Sequence, residues 1–241
     1  MTLVERSDAA GVTTLTLNRP EKLNAINLDM LAALRGHVDA LANDPSIGCV
    51  VLTGAGRCFS AGHDLADTGQ ELQGAERFFA PETVDRLERL PQPTIAKVHG
   101  YCLTGALELA LGCDLVVAAE GSRLADTHGR WGLVPTWGMS VRLPERVGVA
   151  RAKELSYTGR HVSAAEAAAI GLVEYCVSDD ELEARTDELA RMIVANSWGT
   201  NRMTKALHAA RTTMTRQAAL DFERTRPYGL PADRDERAAR R

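Results

Sequence analysis

The chain lacks the cysteine pattern, the charge excess and the long apolar runs that would mark several function classes. Its five cysteines, Cys49, Cys58, Cys102, Cys113 and Cys176, are odd in number and scattered. They lack the paired spacing of metal ligands, so no metal site is expected, and reduced thiols in a cytoplasmic setting are the economical reading. Lys plus Arg number 28 against 32 Asp plus Glu, and a net charge of −4 gives no basic excess for nucleic acid. No apolar run approaches the length of a membrane span. The opening residues, Met1-Thr2-Leu3-Val4-Glu5-Arg6-Ser7-Asp8, lack the basic, apolar and small-residue regions of a secretory signal. What is present is a 241-residue chain with 45% hydrophobic content. That suffices for a sizeable core in one or two domains and is too apolar for disorder.

Extended runs near residues 12–18, 48–53, 94–99 and 114–119 alternate with helical stretches at 28–42 and 84–90, which predicts an α/β core. Beyond about residue 179 the pattern is wholly helical, over 181–195 and 202–214. Residues 68–81 mix Gly69, Gly74 and charges, and read either as a cover over a site or as a plain surface connection.

Two short segments carry the chemistry: Phe59-Ser60-Ala61-Gly62-His63-Asp64-Leu65 and Gly100-Tyr101-Cys102-Leu103-Thr104-Gly105-Ala106-Leu107-Glu108-Leu109-Ala110. In the second, a strand-like run ends at Gly100 and an apolar helix is expected from Gly105. The first N–H groups of a helix have no internal acceptor, so the Gly105 amide is able to polarise a carbonyl. Glu108 lies three residues on, one turn along the same face. Walled by Ala106, Leu107, Leu109 and Leu111, its charged form is disfavoured and its pKa is expected to rise towards a value useful in proton transfer. The first segment supplies a small-residue turn at Ala61-Gly62-His63, where glycine lets backbone approach a ligand closely. Taken singly, the first segment is also compatible with an ordinary turn, and Glu108 with a structural carboxylate.

In this order the two segments resemble the crotonase (enoyl-CoA hydratase/isomerase) superfamily. The resemblance covers most of the chain. It begins at Leu15-Thr16-Leu17-Asn18-Arg19-Pro20-Glu21-Lys22-Leu23-Asn24-Ala25-Ile26 and continues through Gly112-Cys113-Asp114-Leu115 and Gly132-Leu133-Val134-Pro135. It runs on to Gly159-Arg160-His161-Val162-Ser163-Ala164-Ala165-Glu166-Ala167 and Gly171-Leu172-Val173. The resemblance implies a ββα spiral core over residues 1–178 carrying an acyl-CoA site, and a C-terminal α-helical trimerisation region over 179–241.

It also implies that two backbone amides, at His63 and Gly105, polarise the thioester carbonyl and stabilise its enolate. Losing one such donor typically costs about 3 kcal/mol. Hydratases of the family handle water with two glutamates. The first falls on Glu108, while the position of the second holds His128. Imidazole, with an ordinary pKa of about 6.5, is able to serve in its place. The alternative is a pocket-lining His128 with no proton-transfer role. Asp126, placed by strand alternation on the same face, either orients that ring or caps the turn.

The resemblance assigns CoA contacts to Lys22, Ala25, Ala61, Asp64 and Leu65, with Arg19 and Arg57 as further phosphate candidates. Lys22 suits a phosphate, although a lysine beside this turn is equally at home in solvent. Trp131 and Trp137 either wall the acyl pocket or only pack the core. No separate cofactor is expected, since coenzyme A enters as part of the substrate. The expected assembly is a homotrimer or homohexamer, with no nucleic-acid or membrane partner. From Arg224 onward, six arginines face three acids, a tail expected to fray or to lie against CoA phosphates. The expected activity is hydration of 2-enoyl-CoA to 3-hydroxyacyl-CoA. Alternatives are an isomerase or decarboxylase of the same fold, or a noncatalytic acyl-CoA-binding protein.

Overall fold

The computed structural model describes residues 2–64 and 77–239. Leu65, most of the 68–81 segment and the final Arg240-Arg241 lie outside the described residues.

The chain begins with a hairpin of β1 (Val4–Ala9) and β2 (Val12–Leu17), joined at Ala10-Gly11, both at positive φ. That turn conformation matches the twist of an antiparallel pair. Next comes α1 (Leu28–Ala42), opened by the Asn27 side chain accepting from the Met30 N–H at 2.9 Å. Its Met30, Leu31, Leu34, Val38 and Leu41 bury one face at helical spacing. There follow β3 (Cys49–Gly54), α2 (Phe79–Glu88), β4 (Thr94–Val98), β5 (Tyr101–Leu103), α3 (Gly105–Leu111), β6 (Leu115–Ala119), β7 (Arg123–Ala125) and α4 (Met139–Val147). The order continues with α5 (Val149–Thr158), β8 (Val162–Ser163), α6 (Ala164–Ala169), β9 (Tyr175–Val177) and α7 (Leu182–Ala195). The chain closes with α8 (Trp198–Arg211), α9 (Arg216–Arg224) and α10 (Arg234–Ala239).

The main sheet has the order β1-β2-β3-β4-β6-β9 and is parallel from β2 onward. Successive side chains of a strand point to opposite faces, and here the two faces feed two separate apolar clusters. Val50, Leu52, Ala96, Val98, Val116 and Ala118 join the cluster of α1, α2 and α3. Cys49, Val51, Ile95, Val117 and Ala119 join Leu182, Leu189 and Ala190 of α7 on the back. Helices on both faces explain why β3 is buried along its whole length.

Short segments branch from the main sheet into a second layer. After β4 the chain turns into β5, and after β6 into β7, where β5 and β7 pair in parallel. Ser60, beyond β3, bridges to Cys102 of β5. These three strand–strand–helix units are the expected ββα spiral. Their consequence for the site is positional: the ends of the second-layer segments, at Gly62-His63, Thr104-Gly105 and Asp126-His128, fall side by side. Gly62 has φ 102, and a Cβ there would stand 2.6 Å from the Leu103 carbonyl oxygen, so only glycine fits the first of these turns.

The expected strands and helices are present, with α2 starting five residues ahead of the predicted helix. The helical end is anchored by Trp198, whose ring fills the space above Gly11 and Gly48, and by Lys205, whose ammonium reaches Asp114 at 2.7 Å. Neither α8 nor α9 contains a fully buried residue. The tail, expected to fray or to lie against CoA phosphates, forms α10 as far as Ala239. Asp233 accepts from the Ser197 hydroxyl at 2.6 Å, and Arg237 donates to the Ala195 carbonyl at 3.1 Å. Among the described residues, no helix is long and apolar enough to cross a membrane.

Asn24 holds the turn before α1 against the end of β3. Fully buried at φ 52, it donates to the carbonyls of Ala55 and Cys58 at 2.8 Å and accepts from the Arg19 N–H at 2.9 Å. Asn24→Ala is expected to lower the free energy of unfolding by about 2–4 kcal/mol, read by urea titration, because it strands these buried groups.

Candidate active site

Glu108 sits in the first turn of α3, a helix whose residues are all buried, and is itself 2% exposed. Its Oε1 accepts from the N–H of Trp137 at 2.9 Å and of Met139 at 3.0 Å. Its Oε2 lies 3.7 Å from Nε2 of His128, beyond direct hydrogen-bond distance. Burial pushes the Glu108 carboxyl above the ordinary carboxylate range, and the Met139 amide, the His128 imidazole and the Trp137 amide pull back part of that rise.

His128 is buried and opens a short 3₁₀ turn, His128–Arg130. It is therefore not on a strand as expected: β7 stops at Ala125. The Asp126 carboxylate ends the alternation by accepting from the His128 N–H at 3.2 Å, as a turn-capping side chain does. The same Oδ1 lies 2.6 Å from Nδ1 of the His128 ring. Asp126 thus both caps the turn and orients the imidazole, with Nε2 aimed at Glu108. Burial works against ionisation of Asp126, but hydrogen bonding to His128 and to the Ser156 side chain outweighs it and holds the carboxyl below its usual range.

The two backbone positions expected to polarise a carbonyl are brought together. The His63 nitrogen lies 3.3 Å from where a Cβ on Gly105 would stand, so a side chain at Gly105 would fill the space beside that amide. Ile26 pairs with His63, accepting from the Asp64 N–H and donating to the Gly62 carbonyl at 2.8 Å each, which fixes the turn.

A cavity of about 320 Å³ is lined by His63, Gly105, Glu108, His128 and Trp137, with Leu28, Ala80, Leu133 and Val134 as its apolar wall. It meets a second cavity of about 440 Å³ at His63, Thr104 and Leu133. Ala25, Ala61 and Asp64 line this outer space, as does Trp131, which is 59% exposed. Trp137 is the buried indole, its ring 5.1 Å from that of His63 and packed on Gly105. Of the expected CoA contacts, Lys22 is exposed at the end of the 3₁₀ turn Pro20–Lys22 and lines neither cavity. Arg19 is engaged with Asp64 at 2.5 Å.

Sequence reasoning missed Arg142. Its guanidinium is buried and donates to the Trp137 carbonyl at 2.6 Å, while Asp85 and Glu88 of α2 bind it at 2.7 and 2.5 Å. It fixes the turn whose amides hold Glu108. An arginine on the apolar side of α4, between Met139 and Leu143, was the available signal. His161 and Arg130, which also line the outer cavity, were missed as well.

The enoyl-CoA hydratase/isomerase family profile matches residues 7–239. An enoyl-CoA hydratase structure from Bacillus anthracis is 33% identical and superposes with a TM-score of 0.93, covering 98% of this chain and 95% of that one. A 1,2-epoxyphenylacetyl-CoA isomerase of Escherichia coli is 37% identical over 92% of this chain and 88% of its own length. A probable peroxisomal enoyl-CoA hydratase of Arabidopsis thaliana is 33% identical over 80% and 73%.

Because burial raises the Glu108 pKa in the folded state, protonation of this group favours folding. Its contribution is present below the ordinary carboxylate pKa and is lost as pH rises through the raised value. Asp126 has the opposite sign and is present in both the parent and a Glu108 variant. Glu108→Gln is therefore expected to gain thermal stability relative to the parent as pH rises from about 4 to about 8. A pH-independent difference would show that burial does not perturb this carboxyl.

Proposed function

The chain belongs to the enoyl-CoA hydratase/isomerase family, and from that premise we propose that it hydrates 2-enoyl-CoA thioesters to 3-hydroxyacyl-CoA. The supporting observation is the meeting, in one cavity, of the His63 and Gly105 amides with the Glu108–His128 pair.

In this reading the thioester oxygen sits against the two amides. They strengthen as it gains charge, so they favour the enolate over the bound substrate. Ionised Glu108 takes a proton from water as its oxygen bonds to C3. The π electrons move towards the thioester, and His128 gives a proton from Nε2 to C2. Asp126 balances the imidazolium through Nδ1. Glu108 then returns its proton to His128, so water is consumed and the pair is reset. The inner cavity takes the acyl chain against Trp137. The outer one takes the pantetheine arm past Ala25, Ala61 and Asp64, with Trp131 at its edge and Lys22 left to reach phosphate outside it. Coenzyme A arrives with the substrate.

We place assembly on residues 179–241, with residues 1–178 as the acyl-CoA-binding spiral. Leu207, Met214, Leu220 and Phe222 line an open groove between α8 and α9, which suits burial in a trimer or a pair of trimers. Unpaired cysteines, buried at Cys49, Cys58, Cys102 and Cys113, fit a reducing compartment such as the cytoplasm.

A second reading is double-bond isomerisation. It is favoured by the hydratase/isomerase breadth of the matched family and by the imidazole at residue 128, since one proton-shuttling carboxylate suffices there.

Loss of the enoyl-thioester ultraviolet absorbance of crotonyl-CoA measures hydration directly. Glu108→Gln is expected to lower turnover by about 10²–10³ while leaving acyl-CoA affinity within a few-fold. His128→Ala is expected to lower turnover by at least about tenfold, whereas an isomerase using Glu108 alone would be spared. Unchanged turnover in Glu108→Gln would refute the assignment. Light scattering is expected to return the mass of three or six chains.

A further inference from the structure

Thr104 is held in a backbone conformation that a β-branched residue rarely adopts. Its φ of 52 and ψ of −109 lie outside the left-handed helical well and in territory that glycine occupies freely. Such a residue costs on the order of 1–3 kcal/mol and persists where its surroundings enforce it. Threonine before a helix is ordinarily explained by its hydroxyl capping the first turn. Here the Thr104 side chain makes no such bond to α3.

The hydroxyl is committed elsewhere. Oγ1 of Thr104 is hydrogen-bonded to Oγ1 of Thr127 and accepts from the Thr127 N–H at 3.3 Å, while the Thr104 N–H donates to the Ala125 carbonyl at 2.8 Å. Both threonines are nearly buried, at 9% and 6% exposure, and both line the outer cavity, while Thr104 also lines the inner one. Thr104 immediately precedes Gly105. Thr127 stands between Asp126 and His128.

We propose that Thr104 is a positioning residue: its hydroxyl, clasped to Thr127, locks the turn presenting the Gly105 amide to the turn presenting His128. The inference rests on the enolate-stabilising reading above. Without the clasp, the two turns belong to separate ββα units, joined here through the β5–β7 ladder that ends at Leu103 and Ala125. Displacing an amide or an acid–base group by a fraction of an ångström costs rate while the rest of the binding surface is retained. Glycine at residue 104 would relieve the strain, so stability and catalysis are expected to part company.

The test uses the full chain and two readouts. With crotonyl-CoA, Thr104→Gly is expected to keep or raise the thermal midpoint while lowering kcat about tenfold, with KM within about threefold. Thr104→Ser, which restores the hydroxyl, recovers most of that loss. With bound acetoacetyl-CoA, whose enolate is followed by its ultraviolet absorbance, ionisation in Thr104→Val and Thr127→Val is expected to need a pH higher by about one unit. The double variant should lose no more than either single one, since both cut the same link. Additive losses, an unimpaired Thr104→Gly, or a Thr104→Ser as damaged as Thr104→Gly would overturn the proposal. If the parent protein itself fails to favour the acetoacetyl-CoA enolate on binding, it is the oxyanion reading that falls.

Discussion

A carboxylate placed in the first turn of an apolar helix must be compensated, and the rest of the site follows from how Glu108 is compensated. Left alone among Leu107, Leu109 and Ala106 it would be a buried charge without a partner, which proteins avoid by neutralisation or by pairing. Here the compensation is partial. Two backbone amides, from Trp137 and Met139, take one oxygen, while the other faces His128 across 3.7 Å. The remaining imbalance, with burial as its largest cause, holds the carboxyl above the ordinary carboxylate range.

Those amides are only as well placed as the turn that carries them, and the turn depends on Arg142. Its guanidinium is secured by Asp85 and Glu88 and donates to the Trp137 carbonyl. An ionic cluster on α2 and α4 is thereby connected to the orientation of a carboxylate on α3. Asp126 plays the corresponding part for His128, using one oxygen for both the backbone and the ring. Glu108 and His128 therefore each have an orientation set by a neighbouring hydrogen bond. The same economy of geometry holds at the amides, where Gly62 and Gly105 admit no side chain without displacing Leu103 or Trp137.

The repeated ββα unit explains why these parts converge. Each repeat leaves the main sheet at the same level and sends a short strand into the second layer, so the turns after Ser60, Leu103 and Ala125 lie next to one another. The cavity bounded by these turns brings together His63, Gly105 and His128. The helical end of the chain contributes differently: α7 closes the back of the sheet, while α8 and α9 hold no fully buried residue.

Elements whose signals are local were legible in the amino-acid order. The alternating and continuous apolar runs placed β2, β3, β4, β6, α1 and α7. The Gly-x-x-Glu spacing put Glu108 one turn from the Gly105 amide, and the ordered motifs identified the family. What depends on residues distant in the chain emerged with the three-dimensional fold. It released Asp126 and His128 from the expected strand, set Trp137 in the inner cavity and Trp131 at the outer one, and brought Arg142 to the site. It also drew the tail onto the α7–α8 junction through Ser197 and Asp233. The physical reason is range: periodicity and capping act over one or two turns. The environment of the Glu108 carboxylate is set by groups 29 and 31 residues away, whose positions no local pattern encodes.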